Sequence, residues 1–201
     1  MKKEMIDRFF KKLDEELERK AEVILIGASA ASLMGHIRPS LDIDFEIRVK
    51  GKKIPPSLIE SKILKVSRSL RIAVNYSDWI GGWSRIHYLD YRKTAAPYKQ
   101  FGKIEVKIAA PEYWTIGKMA RFLELDIQDM IKIIKLKKIN PSSLINLWAR
   151  ALMASDLSLE LGQFRDHVIY FLKHYSKRIW GKEVNSEKLI RKFQKQIKEK
   201  E

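Results

Sequence analysis

Cysteine is absent from this chain, which excludes a disulfide frame and any thiolate metal site. Histidine is nearly so: His36, His87, His167 and His174 form no i, i+4 pair, so a zinc site of the usual ligand spacing is not expected. No apolar run approaches the ~20 residues that a membrane-spanning helix needs. The first residues, MKKEMIDRFFKKLDEELERK, mix charge and hydrophobe and lack the apolar core of a secretory signal. The expectation is a cytoplasmic protein with no membrane partner, although Asn75-Tyr76-Ser77 matches a glycosylation sequon. Internal repeats and low-complexity tracts are missing, and so are the two phosphate-binding glycine patterns G-x4-G-K-[ST] and G-x-G-x-x-G.

What is present is a core-forming composition with a lopsided charge. Hydrophobic residues make up 45% of the 201 positions, enough for one domain, or one domain with a helical appendage. Lysine and arginine outnumber the acids 40 to 25, giving a net charge of +15 that favours phosphate-bearing partners: nucleotides, RNA or another nucleic acid. A lysine-rich surface of a hot-living source is the plainer explanation, but there glutamate rises with lysine, and here it does not keep pace. The segment from Lys173 to Glu201 alone carries ten basic and four acidic residues, which suits either a nucleic-acid contact or a solvated helical face.

Periodicity divides the chain near residue 110. Met5, Ile6, Phe9, Phe10, Leu13 and Leu17 recur at helical spacing and predict an amphipathic helix over 1–20. Val23-Ile24-Leu25-Ile26 is a short β-branched run ending at Gly27, hence a buried strand. Ala28 to Met34 is helix-compatible and stops at Gly35. Leu41 to Val49 alternates strictly, odd positions apolar and even ones charged, which predicts a strand packed on one face only. Pro56 opens a helix to Leu70, and Arg71–Tyr76 and Lys103–Ile108 read as further strands. The aromatic stretch 77–101 is expected to be a long loop with a short strand near Ile86–Leu89. From Pro111 onward helices are predicted at 111–123, 126–138, 141–154, 158–180 and 186–199, with Asn140-Pro141 as cap and first-turn proline. The fold class is therefore α+β: a mixed sheet flanked by helices over 1–110, with a helical region over 111–201 packed on it.

Asp42 and Asp44, two residues apart on a strand, project from the same face. Like charges so close are stabilised by a shared cation, and Mg2+ (or Mn2+) prefers such oxygen ligands together with substrate phosphates. A solvated strand face would carry the same pattern. The preceding strand–turn Ile26-Gly27-Ala28-Ser29 opens a helix whose amides, with the Ser29 hydroxyl, suit an anion. Gly and Ser are also ordinary choices in a turn that binds nothing.

Taken together, Ile26-Gly27-Ala28-Ser29 and Arg38-Pro39-Ser40-Leu41-Asp42-Ile43-Asp44 resemble the nucleotidyltransferase superfamily, in particular a prokaryotic branch related to the abortive-infection nucleotidyltransferase toxins. A downstream block is similar too: Val106 to Glu112, followed by Lys118, Arg121, Asp126 and Asp129. The resemblance spans roughly residues 20–150. It implies a nucleotidyltransferase-like sheet and Mg2+ held by Asp42 and Asp44. It also implies an NTP at Gly27, Ala28, Ser29, Arg38, Lys118 and Arg121, and a nucleoside monophosphate passed to a hydroxyl of RNA, protein or a small molecule. A non-catalytic descendant, binding nucleotide, nucleic acid or a partner protein, is the alternative, with a toxin–antitoxin module suggested by the relatives alone. Two positions depart from the family pattern: Ala28 replaces the second turn glycine, and Asn75 stands where a third carboxylate would be convenient. Glu105 is taken as the third catalytic acid, ahead of Asp78; a solvent-facing residue between Lys103 and Lys107 is the plainer reading of Glu105. A salt bridge from Lys118 or Arg121 to Asp126 or Asp129 competes with phosphate binding by those two bases. A second copy of the chain is a further partner left open.

Overall fold

A computed structural model describes residues 2–35, 41–51 and 54–198. Among them the elements run α1 (Lys3–Leu17), β1 (Ala21–Leu25), α2 (Gly27–Gly35), β2 (Asp42–Val49), α3 (Pro56–Leu70) and β3 (Ala73–Ser77). A 3-10 turn (Ile80–Trp83) and a single helical turn α4 (Tyr91–Thr94) lead to β4 (Ala96–Phe101) and β5 (Ile104–Ile108). Helices α5 (Pro111–Arg121), α6 (Glu124–Leu136), α7 (Pro141–Ala154), α8 (Leu159–Trp180) and α9 (Ser186–Lys198) complete the chain. The protein is α+β, a five-stranded mixed sheet flanked by helices and followed by a helical C-terminal half. No helix is long and apolar enough to cross a membrane among the described residues.

The chain forms two compact units, one of residues 1–80 with 92–109, the other of 81–91 with 110–201. In the first, the sheet order is β3-β2-β1-β5-β4. β1 pairs antiparallel with β2 and parallel with β5, so the short β-branched run read from the sequence is a central strand with neighbours on both sides. The alternation of β2 does what period two dictates. Ile43, Phe45 and Ile47 are buried on one face, where Phe45 meets Phe9 and Phe10 of α1 at ring-centroid distances of 5.9 and 5.4 Å. Ile6, Leu13 and Leu17 extend that apolar stripe along α1, and Ile63 and Val66 do the same for α3. The opposite face of the sheet carries the even-numbered, charged side chains of β2.

The stretch 77–101 differs from expectation. Residues 86–89 form no strand; instead Ile86 is buried in the second unit, and the Tyr88 hydroxyl packs where a Cβ on Gly117 would stand. Burial lifts the Tyr88 phenol to a pKa of about 12. The strand is β4, at the sheet edge, where Pro97 needs no ladder partner for its missing N–H and a register irregularity falls between Pro97 and Lys99. In the second unit, Asn140 accepts hydrogen bonds from the Ser142 and Ser143 amides, with Pro141 at the first helical position of α7. Buried Trp148, Phe164, Phe171 and Phe193 fill the space between the helices, and the Trp148 indole N–H donates to Thr115 Oγ1 at 2.9 Å.

Candidate functional site

β2 brings Asp42 and Asp44 onto one face, and its parallel partner β3 sets Asn75 directly beside Asp44 in register. The Asn75 amide nitrogen donates to Asp42 Oδ2 at 2.7 Å and to Asp44 Oδ1 at 3.0 Å. Two carboxylates thus converge on one electropositive N–H2 group. That is a position where hard oxygen donors of both residues reach the same point, so the donor chemistry fits a divalent cation. No group of three His, Cys, Asp or Glu side chains is placed to hold a metal among the described residues.

The strand–turn is folded against this pair. Gly27 begins α2 with φ +57°, and a Cβ there would lie inside the Asp44 carboxylate, so the position requires glycine on two counts. Behind it, Ser29 is wholly buried. Its hydroxyl accepts the Asp44 amide N–H at 3.2 Å and donates to Ile26 O at 2.9 Å. The Ile26 amide N–H in turn donates to Asp44 O at 3.0 Å. The Ser29 hydroxyl is therefore directed into the protein, where it fixes the backbone of Asp44. Any anion at this turn would meet the backbone amides of the first turn of α2, not the Ser29 hydroxyl. Gly27→Ala is expected to cost about 1–2 kcal/mol from the left-handed backbone alone. Displacement of Asp44 adds to that cost, and urea denaturation beside Mn2+ titration would register both losses.

The other sequence candidates lie elsewhere. Glu105 of β5 is level with Glu22 of β1, and Glu22 is level with Arg48 of β2. Asp44 is four residues before Arg48, about 13 Å along the strand and two strand spacings of about 4.8 Å across. The register thus does not bring Glu105 to the aspartate pair, and this corrects its choice as third catalytic acid. Lys107 lies 3.5 Å from Glu105 and 2.8 Å from Glu22, whose carboxyl its hydrogen bond holds below the usual range. Arg38 lies outside the described residues. In the second unit, Lys118 is only 4% exposed and its Nζ contacts Asp126 Oδ1 at 2.8 Å and Asp129 Oδ2 at 3.1 Å. Arg121, 58% exposed, bonds to the same Asp126 through Nε at 2.7 Å and Nη2 at 2.6 Å. Ala28 is buried in the first turn of α2.

One acid of this face escaped the sequence reading. Glu46 follows Asp42 and Asp44 at the same spacing and is 1% exposed. It accepts the Ile80 amide N–H at 3.1 Å and the Arg92 Nε–H at 2.7 Å. Ile80 and Arg92 are the residues at which the chain leaves and re-enters this unit, so a single carboxylate holds both points. The strict alternation placed Glu46 on the charged face; its burial depends on Arg92, which nothing nearby in sequence announces. No protein-family model, curated protein or solved structure matches the chain.

Proposed function

We propose that the chain binds a nucleoside triphosphate with Mg2+ at Asp42, Asp44 and the first turn of α2, and transfers its nucleoside monophosphate to an acceptor hydroxyl. One observation carries this reading: the turn of the anion-binding kind is seated directly on one of the two paired carboxylates, with Gly27 giving up its Cβ to the Asp44 side chain. Asp42 and Asp44 would hold the cation, which when bound supplies charge neutralisation to the phosphates. The α2 amides bind the outer phosphate oxygens. Ser29 acts through Asp44 as a positioning residue. The acceptor hydroxyl loses its proton to solvent and its oxygen forms a bond to the α-phosphorus as the bond to the bridging oxygen breaks, and pyrophosphate leaves. Positioning and electrostatics supply most of the rate, since no residue forms a covalent bond. Lys118 and Arg121 are not needed in this scheme, because Asp126 and Asp129 engage their charge.

A second reading, nucleotide binding without transfer, is favoured by Asn75. An amide accepts no proton from an attacking hydroxyl, and it adds no negative charge for a second cation. The two readings separate in one assay. Each labelled NTP is incubated with Mg2+ and cell extract, using wild type and Asp42→Ala/Asp44→Ala. Label transfer by wild type that falls to background in the double variant supports the transferase. Nucleotide binding without transfer by wild type leaves the binding protein. Asn75→Asp, by restoring a third carboxylate, is expected to tighten Mn2+ binding about tenfold in calorimetric titration. Unchanged affinity would show that Asn75 does not face the cation.

A further inference from the structure

We infer that the outer face of the C-terminal part of α8 binds a single-stranded polynucleotide by stacking bases on Tyr170 and His174 while Lys173, Lys177 and Arg178 meet its phosphates. The inference stands apart from nucleotidyl transfer and uses only the second unit. Helical geometry puts His167, Tyr170, His174, Lys177 and Arg178 on one stripe, because residues three and four apart share a face. Tyr170 is 48% exposed, and its ring lies 4.2 Å from that of His174, also exposed, at an interplanar angle of 34°. His167 continues the row, stacked on Phe122 at 4.4 Å and 11°. Two aromatic rings left in water one helix turn apart, with a half-buried third beyond them, form the kind of platform on which unpaired bases stack.

Charge selects the occupant. From His167 to Trp180 the helix carries Lys173, Lys177 and Arg178 and no acid, and all three are exposed. None of the three makes an ion pair among the described residues, whereas Arg165, about two turns before Lys173, is paired with Asp166 at 3.1 Å. Unpaired cations interleaved with exposed rings match a ligand that is both polyanionic and rich in flat apolar faces. A duplex offers the phosphates but keeps its bases stacked inside, and an acidic polypeptide offers charge without the planar faces.

Fluorescence anisotropy with labelled oligo(uridine) tests this. Wild type is expected to bind the single strand more tightly than an oligo(uridine)–oligo(adenosine) duplex. Tyr170→Ala/His174→Ala should weaken the single-strand complex roughly ten- to a hundredfold, and Tyr170→Phe should keep it. Lys173→Gln/Lys177→Gln/Arg178→Gln should lower the slope of log affinity against log salt by about 2, as expected for three lost phosphate contacts on a single strand. Circular dichroism melts confirm that each variant is folded; these side chains are at the surface. Equal affinity for the duplex, preference for poly-glutamate, no binding, or a ring variant that binds like wild type would each overturn the assignment. Asp42→Ala/Asp44→Ala is expected to bind oligo(uridine) unchanged, so loss of nucleotidyl transfer and loss of this surface are read separately.

Discussion

Replacing Lys118 with methionine is expected to remove about 3–5 kcal/mol from the stability of the helical unit, measured by urea denaturation followed by circular dichroism. The size follows from what is left behind. Lys118 is bonded to both Asp126 and Asp129, and all three side chains are almost wholly buried. The ammonium also lies 5.1 Å from the centroid of the Trp114 ring. With methionine in place, Asp129 loses a 3.1 Å partner and Asp126 keeps Arg121. Two buried carboxylates on one helix then face each other with less compensating charge. Adding Asp129→Leu should recover part of the loss, because replacing a buried pair with apolar groups of similar size costs far less than breaking it. A double-mutant cycle that showed no coupling between positions 118 and 129 would refute the account. Acid exposes the same cluster. Burial pushes the Asp126 carboxyl up, but hydrogen bonds from Arg121 and Lys118 outweigh it and hold the group below the usual range. A carboxyl depressed in the folded state stabilises above its unfolded pKa of about 3.9. That contribution should be intact at neutral pH and disappear as pH falls below about 4 through the folded value.

Arg92→Ala should destabilise the sheet unit by about 3–5 kcal/mol, and more than Glu46→Gln does. The asymmetry comes from exposure. Glu46 is 1% exposed and Arg92 33%, so deleting the guanidinium strips charge compensation from a carboxylate that water does not reach. Glu46→Gln removes the charge instead, and the arginine turns toward solvent while the glutamine oxygen still accepts the Ile80 N–H. Thermal unfolding of the two single variants decides it, and the reverse ranking would refute the argument. Because Glu46 lies on the same strand face as Asp44, Arg92→Ala leaves that face more negative and should not weaken Mn2+ binding at the aspartate pair. Glu46→Gln, which removes a negative charge from that face, should weaken it.

Where local pattern decides structure, the chain was readable. The period-two alternation of β2 fixed which side chains pack on Phe9 and Phe10 and which share a face with Asp42 and Asp44. Pro56 and Asn140-Pro141 marked helix starts because caps and first-turn prolines act within a few residues. What escaped depends on distant partners. β4 contains Pro97 and lacks β-branched residues, and it is a strand only because β5 lies beside it. Glu105 looked available because strand register between β5, β1 and β2 is invisible in the sequence of any one of them. The direction of the Ser29 hydroxyl, inward to Asp44 rather than outward, likewise depends on a contact across fifteen positions of chain. The resemblance to nucleotidyltransferases pointed to Gly27, Ser29, Asp42 and Asp44, which the fold sets side by side. The geometry then replaced an expected third acid with the Asn75 amide.

The strand order β3-β2-β1-β5-β4 has a consequence for the order of events during synthesis. β1 emerges early, pairs with β2 soon afterwards, and must then wait for residues 104–108 before its other edge is covered. Until then a central, apolar strand has one side open, and the parallel pairing it awaits closes a loop of some eighty residues, a slow kind of contact to form. The helices after residue 110 draw mainly on neighbours close in sequence and need no such delay. The nascent chain is therefore expected to be most vulnerable to aggregation while β1 is half covered.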